Sequence, residues 1–228
     1  MNTNKQIAKP LFQLTLTMAF CMAITLSGCN RPKAVTNKNT TEPAIITDVA
    51  TESSDPADDK TPTKGSSTPQ ASIPLQTFLD SALNGETKTI QLAVDSEFDV
   101  NSLDEQKRCA LMLAAFNGHT DIVKLLVRNG ASLNLRDTSG RSALMFASTG
   151  ANSDTVEFLI VSGAELNAVD NSEGFTALMF AAAEGQTEVV QTLLRYKADA
   201  SIKDADGESA LGFATKNGHV ETAKLLAE

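Results

Sequence analysis

Residues 109–137 read "CALMLAAFNGHTDIVKLLVRNGASLNLRD", and the pattern within them decides the fold. Leu111, Ala114 and Ala115 recur at spacings of three and four, which places them on one face of a helix. Gly118 stands where a glycine commonly closes a helix. Thr120-Asp121 opens a second helix, with Ile122, Val123, Leu125 and Leu126 as its buried face. Asn129-Gly130 closes that helix. The following loop ends at Asp137, and Gly140 lies in the next turn. Two helices this short cannot bury their apolar faces alone, but stacked against like units they can.

The stretch recurs. "SALMFASTGANSDTVEFLIVSGAELNAVD" (142–170), "TALMFAAAEGQTEVVQTLLRYKADASIKD" (176–204) and "SALGFATKNGHVETAKLLAE" (209–228) align with it. Their Ala-Leu pairs begin at Ala110, Ala143, Ala177 and Ala210, spacings of 33, 34 and 33. A weaker copy, "FLDSALNGETKTIQLAVDSEFDVNSLD", puts Gly85 33 residues before Gly118 and Asn101 33 before Asn134. A 33-residue helix-turn-helix-loop period resembles the ankyrin repeat. The resemblance covers about residues 74–228 and implies an all-α ankyrin-repeat solenoid of about five repeats: 74–104, 105–137, 138–170, 171–204 and 205–228. The family's Thr-Pro-Leu-His signature is altered. Its positions read Cys-Ala-Leu-Met (109–112), Ser-Ala-Leu-Met (142–145), Thr-Ala-Leu-Met (176–179) and Ser-Ala-Leu-Gly (209–212). Alanine in place of proline keeps the helix. Methionine or, at 212, glycine in place of the family's histidine exchanges some inter-repeat hydrogen bonding for packing. An extra residue around Asn171–Glu173 lengthens one finger loop. Thr215, Lys216, His219, Glu221 and Lys224 make the last unit polar, as an exposed end requires.

The N-terminal region has a different grammar. All seven prolines fall at or before Pro74. Residues 11–26, "LFQLTLTMAFCMAITL", are uncharged and mostly apolar, but short of the roughly 20 residues that span a bilayer. With Lys5 and Lys9 before them and Ser27-Gly28 after, they read as a secretory signal peptide over residues 1–28. Leu26-Ser27-Gly28-Cys29 resembles the bacterial lipobox, which implies lipidation of Cys29 after cleavage. Two or three acyl chains anchor a protein stably where one does not. Asn30, rather than Asp, follows Cys29, and in enterobacterial-type sorting that implies the outer membrane, facing the periplasm of the bacterial cell envelope. Residues 29–73 then form the lipidated cysteine and a linker. From Asn30 to Ile73 there is no aromatic residue, and five basic groups face six acidic ones. Such a segment cannot bury enough apolar surface to offset chain entropy, so a disordered spacer is expected. Its 44 residues would reach roughly 35–40 Å as a flexible coil.

The chain carries 19 basic and 28 acidic residues. Removing residues 1–28 takes two lysines, leaving 17 against 28, a net of −11. That balance argues against nucleic-acid binding, which needs phosphate neutralisation, and leaves membrane contact to the lipid alone. Cys21 leaves with the signal peptide and Cys29 is blocked by lipid, so Cys109 has no disulfide partner.

Little in the repeats reads as chemistry. Cys109 occupies a Thr/Ser slot, so a small buried side chain explains it better than a reactive thiol does. His119 and His219 lie three repeats apart and cannot share a metal. Gly140-Arg141-Ser142 lacks the second glycine and the strand of a nucleophile elbow. Met112, Met145 and Met179 read as core rather than as an oxidant sensor. Asp204, Asp206 and Glu208 read as a hydrated rim rather than a Ca²⁺ site. No catalytic residue, cofactor or metal is expected, and the chain reads as a non-enzyme. In the resembling family, finger tips and the inner face of the first helices bind protein partners. Carried over, that face comprises Arg108, Phe116, Asn117, Arg141, Thr149, Phe175, Glu184, Glu208 and Lys216, with Glu105, Gln106, Thr138, Ser139, Asn171, Ala183, Asp206 and Asn217 around them. Arg108, Arg141, Phe175 and Glu208 share one phase, a row running from positive through apolar to negative. The expected function is binding of a protein partner, and the acidic chain suits a basic one. The alternative within the same fold is an immunity-type inhibitor of a periplasmic toxin or enzyme.

Overall fold

The computed structural model describes residues 73–228. The signal peptide, Cys29 and nearly all of the expected spacer lie outside the described residues. Within them are ten helices in five antiparallel-type pairs joined by tight turns: α1 (Leu75–Asn84) with α2 (Thr87–Asp95), α3 (Ala110–Phe116) with α4 (Thr120–Arg128), α5 (Ala143–Thr149) with α6 (Ser153–Val161), α7 (Ala177–Ala183) with α8 (Thr187–Arg195), and α9 (Ala210–Lys216) with α10 (Val220–Ala227). Among the described residues β-structure is limited to one bridge, Lys203 to Ser209. No helix among them is long and apolar enough to cross a membrane.

The first helices α3, α5, α7 and α9 are seven residues each and rich in alanine. Helices this short are marginal in water, so packing must hold them. The residue before each is extended, and the side chains of Ser142, Thr176 and Ser209 accept a main-chain N–H three residues on. Cys109 holds the same extended conformation but makes no side-chain cap. First helices stack in sequence order in one row and second helices in another. Ala114, Ala147, Ala181 and Ala214 are wholly buried along the first row, and their small side chains let neighbouring helices approach. Met112, Met145 and Met179 are also buried. They pack as core side chains, as the sequence implies.

Polar ladders stitch one pair to the next. His119 Nε2 and Asn117 Nδ2 lie 2.9 and 2.7 Å from the Leu83 carbonyl at the end of α1. Asn152 donates to the Phe116 carbonyl at 3.1 Å, Gln186 to that of Thr149 at 3.3 Å, and His219 and Asn217 meet that of Ala183 at 3.0 and 2.8 Å. Each of these bonds satisfies a carbonyl that the end of a first helix leaves without an intrahelical donor. The two histidines are therefore structural, and they bind carbonyls of different repeats. Gly85 sits directly under His119: a Cβ there would lie 2.7 Å from the ring, and the left-handed φ of +80° also favours glycine. A second ladder runs through Asn101, Asn134 and Asn167, whose side-chain oxygens accept the main-chain N–H of Ser132, Glu165 and Asp199. Buried Thr155 and Thr222 pair with Thr120 and Thr187 at 2.7 and 2.8 Å.

The last pair is less polar than the sequence implies. Thr215, Lys216, Glu221 and Lys224 are exposed, but so are Leu211 (36%) and Val220. Leu111, Leu144 and Leu178, the counterparts of Leu211, are buried. His219 is half-buried because it reaches back to Ala183.

Candidate protein-binding face

Four fingers precede the helices α3, α5, α7 and α9, and each is built on an aspartate. Asp104 Oδ1 accepts the main-chain N–H of Gln106 and Arg108 at 2.9 and 2.7 Å. Asp137 does the same for Ser139 and Arg141 at 2.9 and 2.8 Å, and Asp204 for Asp206 and Glu208 at 3.0 and 2.7 Å. In the third finger the extra residue changes the register: Asp170 holds Glu173, Gly174 and Phe175 at 3.2, 2.8 and 3.0 Å. Neighbouring fingers also bond through the main chain, Thr138 to Gln106, Asn171 to Ser139 and Ala205 to Glu173. The finger edge is thus a continuous hydrogen-bonded strip.

The structure gives the site residues unequal freedom. Arg108 and Arg141 are fastened within their own fingers. Arg108 Nε donates to Asp104 Oδ2 at 2.7 Å, and its Nη2 lies 3.4 Å from Gln106 Oε1. Arg141 donates from Nε and Nη2 to Asp137 Oδ2 at 2.9 and 2.7 Å, and its guanidinium lies over the Phe146 ring, 4.8 Å from the centroid. Phe175 wedges edge-on between Phe180 and Phe213, with centroids 5.5 and 4.9 Å away. Phe116 meets Phe146 edge-on at 6.3 Å. Asn117 is tied to Leu83, and Thr149 Oγ1 donates to the Phe146 carbonyl at 2.7 Å. Glu208 lies across Gly212, the slot that holds methionine in the other repeats, with one carboxylate oxygen 4.0 Å from Lys216 Nζ. The side chains of Glu184 and Lys216 are exposed.

Phe146, Phe180 and Phe213 form a buried aromatic floor behind the fingers, which the sequence reading did not single out. Their spacing of 34 and 33 residues, one repeat apart, is the signal that finds them. Glu173 is exposed at the tip of the lengthened finger, where the sequence marks only an insertion.

Charge divides the face. The first finger (104–108) holds two acids and two bases and the second (137–141) one of each. The third (170–175) holds Asp170 and Glu173 with no base, and the fourth (204–208) Asp204, Asp206 and Glu208 with none. Glu184, at the end of α7, adds to that acidic half. Although the residue as a whole is exposed, partial desolvation of its carboxyl pushes it above the usual range, while the charge of His219 pulls the other way.

Cys109 is 2% exposed, and burial pushes its thiol above its ordinary value, so it stays protonated and shielded. No group of three or more metal-ligating side chains occurs among the described residues. In the Asp204–Glu208 loop, Asp204 turns its carboxylate onto the loop's own main chain.

A family model described as ankyrin repeats (3 copies) matches residues 78–170 and 149–228. No curated protein matches the chain.

Proposed function

The chain belongs to the ankyrin-repeat family, and from that premise we propose that it is a lipid-anchored bacterial envelope protein that recognises a protein partner through its finger face. Ankyrin repeats act in protein–protein interaction and are typically non-catalytic. The observation that carries the partner's chemistry is the charge division: the third and fourth fingers supply five carboxylates and no base. A basic segment on the partner would complement that half, while the half-buried ring of Phe175 offers apolar contact beside it. Charge of this kind mainly speeds association and excludes wrong partners.

Attachment and recognition are assigned to separate parts of the chain. Cys29 holds it to the membrane, on our reading the outer membrane on its periplasmic side. Residues 30–73 space the repeats from the surface.

The test is in-cell cross-linking and co-purification with the full-length protein, alongside a variant carrying Glu173→Arg, Glu184→Arg and Asp206→Arg. A dominant partner lost in the variant supports recognition by the acidic half. Unchanged capture moves the contact elsewhere on the array. The partner's identity separates a scaffold from an inhibitor: a single toxin or enzyme whose activity falls on binding establishes the second. In the same cells Cys29→Ser releases the protein from the membrane fraction, whereas deleting residues 74–228 leaves the remnant attached. Loss of attachment in the deletion would sink the division of labour.

A further inference from the structure

The chain contains four Asn-Gly steps, at 84–85, 117–118, 129–130 and 217–218. Asn-Gly is chemically labile because glycine offers no side chain to hinder attack by its own main-chain nitrogen on the asparagine amide. That nitrogen loses its proton to solvent and bonds to Cγ. The Cγ–Nδ2 bond breaks and ammonia leaves, closing a five-membered imide. Water then opens the ring to aspartate or isoaspartate, so the net change is amide plus water to carboxyl plus ammonia.

Three of the four side chains are held. Asn117 and Asn217 donate to the carbonyls of Leu83 and Ala183 in the preceding repeat at 2.7 and 2.8 Å. Asn129 donates to the Leu125 carbonyl at 2.8 Å. Asn84 occupies the same repeat position as Asn117 and Asn217, but α1 has no preceding first helix among the described residues to receive its amide. Its side chain is exposed and makes no hydrogen bond among them. The main-chain nitrogens do not discriminate in this way: Gly85, Gly118, Gly130 and Gly218 all donate to carbonyls three or four residues back. The side-chain tether decides, together with fraying, to which the terminal α1 is more open than interior helices.

We propose that Asn84 is a site of spontaneous, enzyme-free deamidation, and that the reaction loosens the first helix pair from the second. Isoaspartate at residue 84 lengthens the main chain by one methylene between the Leu83 carbonyl and Gly85, the two features on which His119 is seated. Either product also puts a negative charge at the C-terminus of α1, where the helix dipole disfavours it.

The experiment ages full-length protein in mildly alkaline buffer, native and in urea, and follows the four peptides by mass spectrometry with isoaspartate detection. In urea all four sites react at comparable rates, because only local sequence acts. In the native protein Asn84 reacts about tenfold faster than Asn117 or Asn217, the factor expected for one retained hydrogen bond. Asn117 or Asn217 keeping pace with Asn84, or Asn84 staying intact while it reacts in urea, overturns the assignment. Hydrogen exchange on the aged protein then reads the consequence: faster exchange in 75–95 with 143–216 unchanged supports the loosened pair, and uniform exchange rejects it.

Discussion

Asp137→Ala tests whether the finger aspartates hold the array or merely decorate it. Asp137 is 4% exposed. Its Oδ1 accepts two main-chain N–H groups and its Oδ2 two guanidinium N–H groups of Arg141, whose side chain is 22% exposed. Removing one partner of a buried ion pair costs about 3–5 kcal/mol. Arg141 keeps some solvent contact and its place over Phe146, so the low end, about 3 kcal/mol, applies. Asp204→Ala is the internal control. It loses two equivalent main-chain bonds but strands no arginine, and about 1–2 kcal/mol is expected. Urea unfolding followed by circular dichroism, with the midpoint shift read at unchanged slope, measures both. Arg141→Met completes a cycle, because the double variant removes the stranded cation. Its loss should fall short of the sum of the singles by about 1 kcal/mol or more. Equal losses at 137 and 204 with no coupling to Arg141 would refute the account of the finger as a charge-locked strut.

Three further outcomes are expected. Cys109→Ser installs the hydroxyl found at 142, 176 and 209; a cap is worth about 1 kcal/mol, so stability should hold or rise by up to that much in thermal unfolding, with partner capture unchanged. Gly212→Ala removes a glycine from α9 at a gain of about 1 kcal/mol; the opposing cost is moving the flexible end of Glu208 off the new methyl, so a modest net rise is expected, and stability below that of the parent would show that Glu208 is fixed there. Glu184 has a folded-state carboxyl raised by partial burial. The folded state therefore binds its proton more tightly than the unfolded chain does, and stability falls as pH rises through and above the ordinary glutamate range. Glu184→Gln should stabilise at neutral pH and converge with the parent in acid below that range; a pH-independent difference between the two unfolding curves would contradict the sign.

The architecture was legible because its unit repeats. A 33-residue phase shared by Ala-Leu pairs, glycines and asparagines leaves few alternatives to a helix-pair stack, and the positions of Gly118, Thr120 and Gly130 locate helix ends closely. The partners of individual side chains were less legible. Arg108 and Arg141 look like exposed anchors in sequence, since nothing in one dimension says that a residue four places back holds them. The histidines and Asn152 and Gln186 share one repeat position, but their common acceptor is a carbonyl some 36 residues earlier, and a backbone group carries no sequence signal. The aromatic floor was missed for a related reason. Phe146, Phe180 and Phe213 fall within apolar runs where composition does not distinguish a residue behind the fingers from one between the helix rows.

The locked fingers bear on recognition as well as on stability. Binding by a mobile loop must order that loop at the moment of contact, at a cost in affinity for each side chain immobilised. Here each finger main chain is already held by two or three bonds to its aspartate and by one or two to neighbouring fingers. Arg141 and Phe175 are likewise set against the aromatic floor before any partner arrives. The ordering cost is thus met in folding, and the surface a partner meets is a fixed one. The side chains left exposed on it include Glu105, Thr138, Asn171, Glu173, Glu184 and Asp206, and under the proposed binding role substitutions there would alter specificity without disturbing the array.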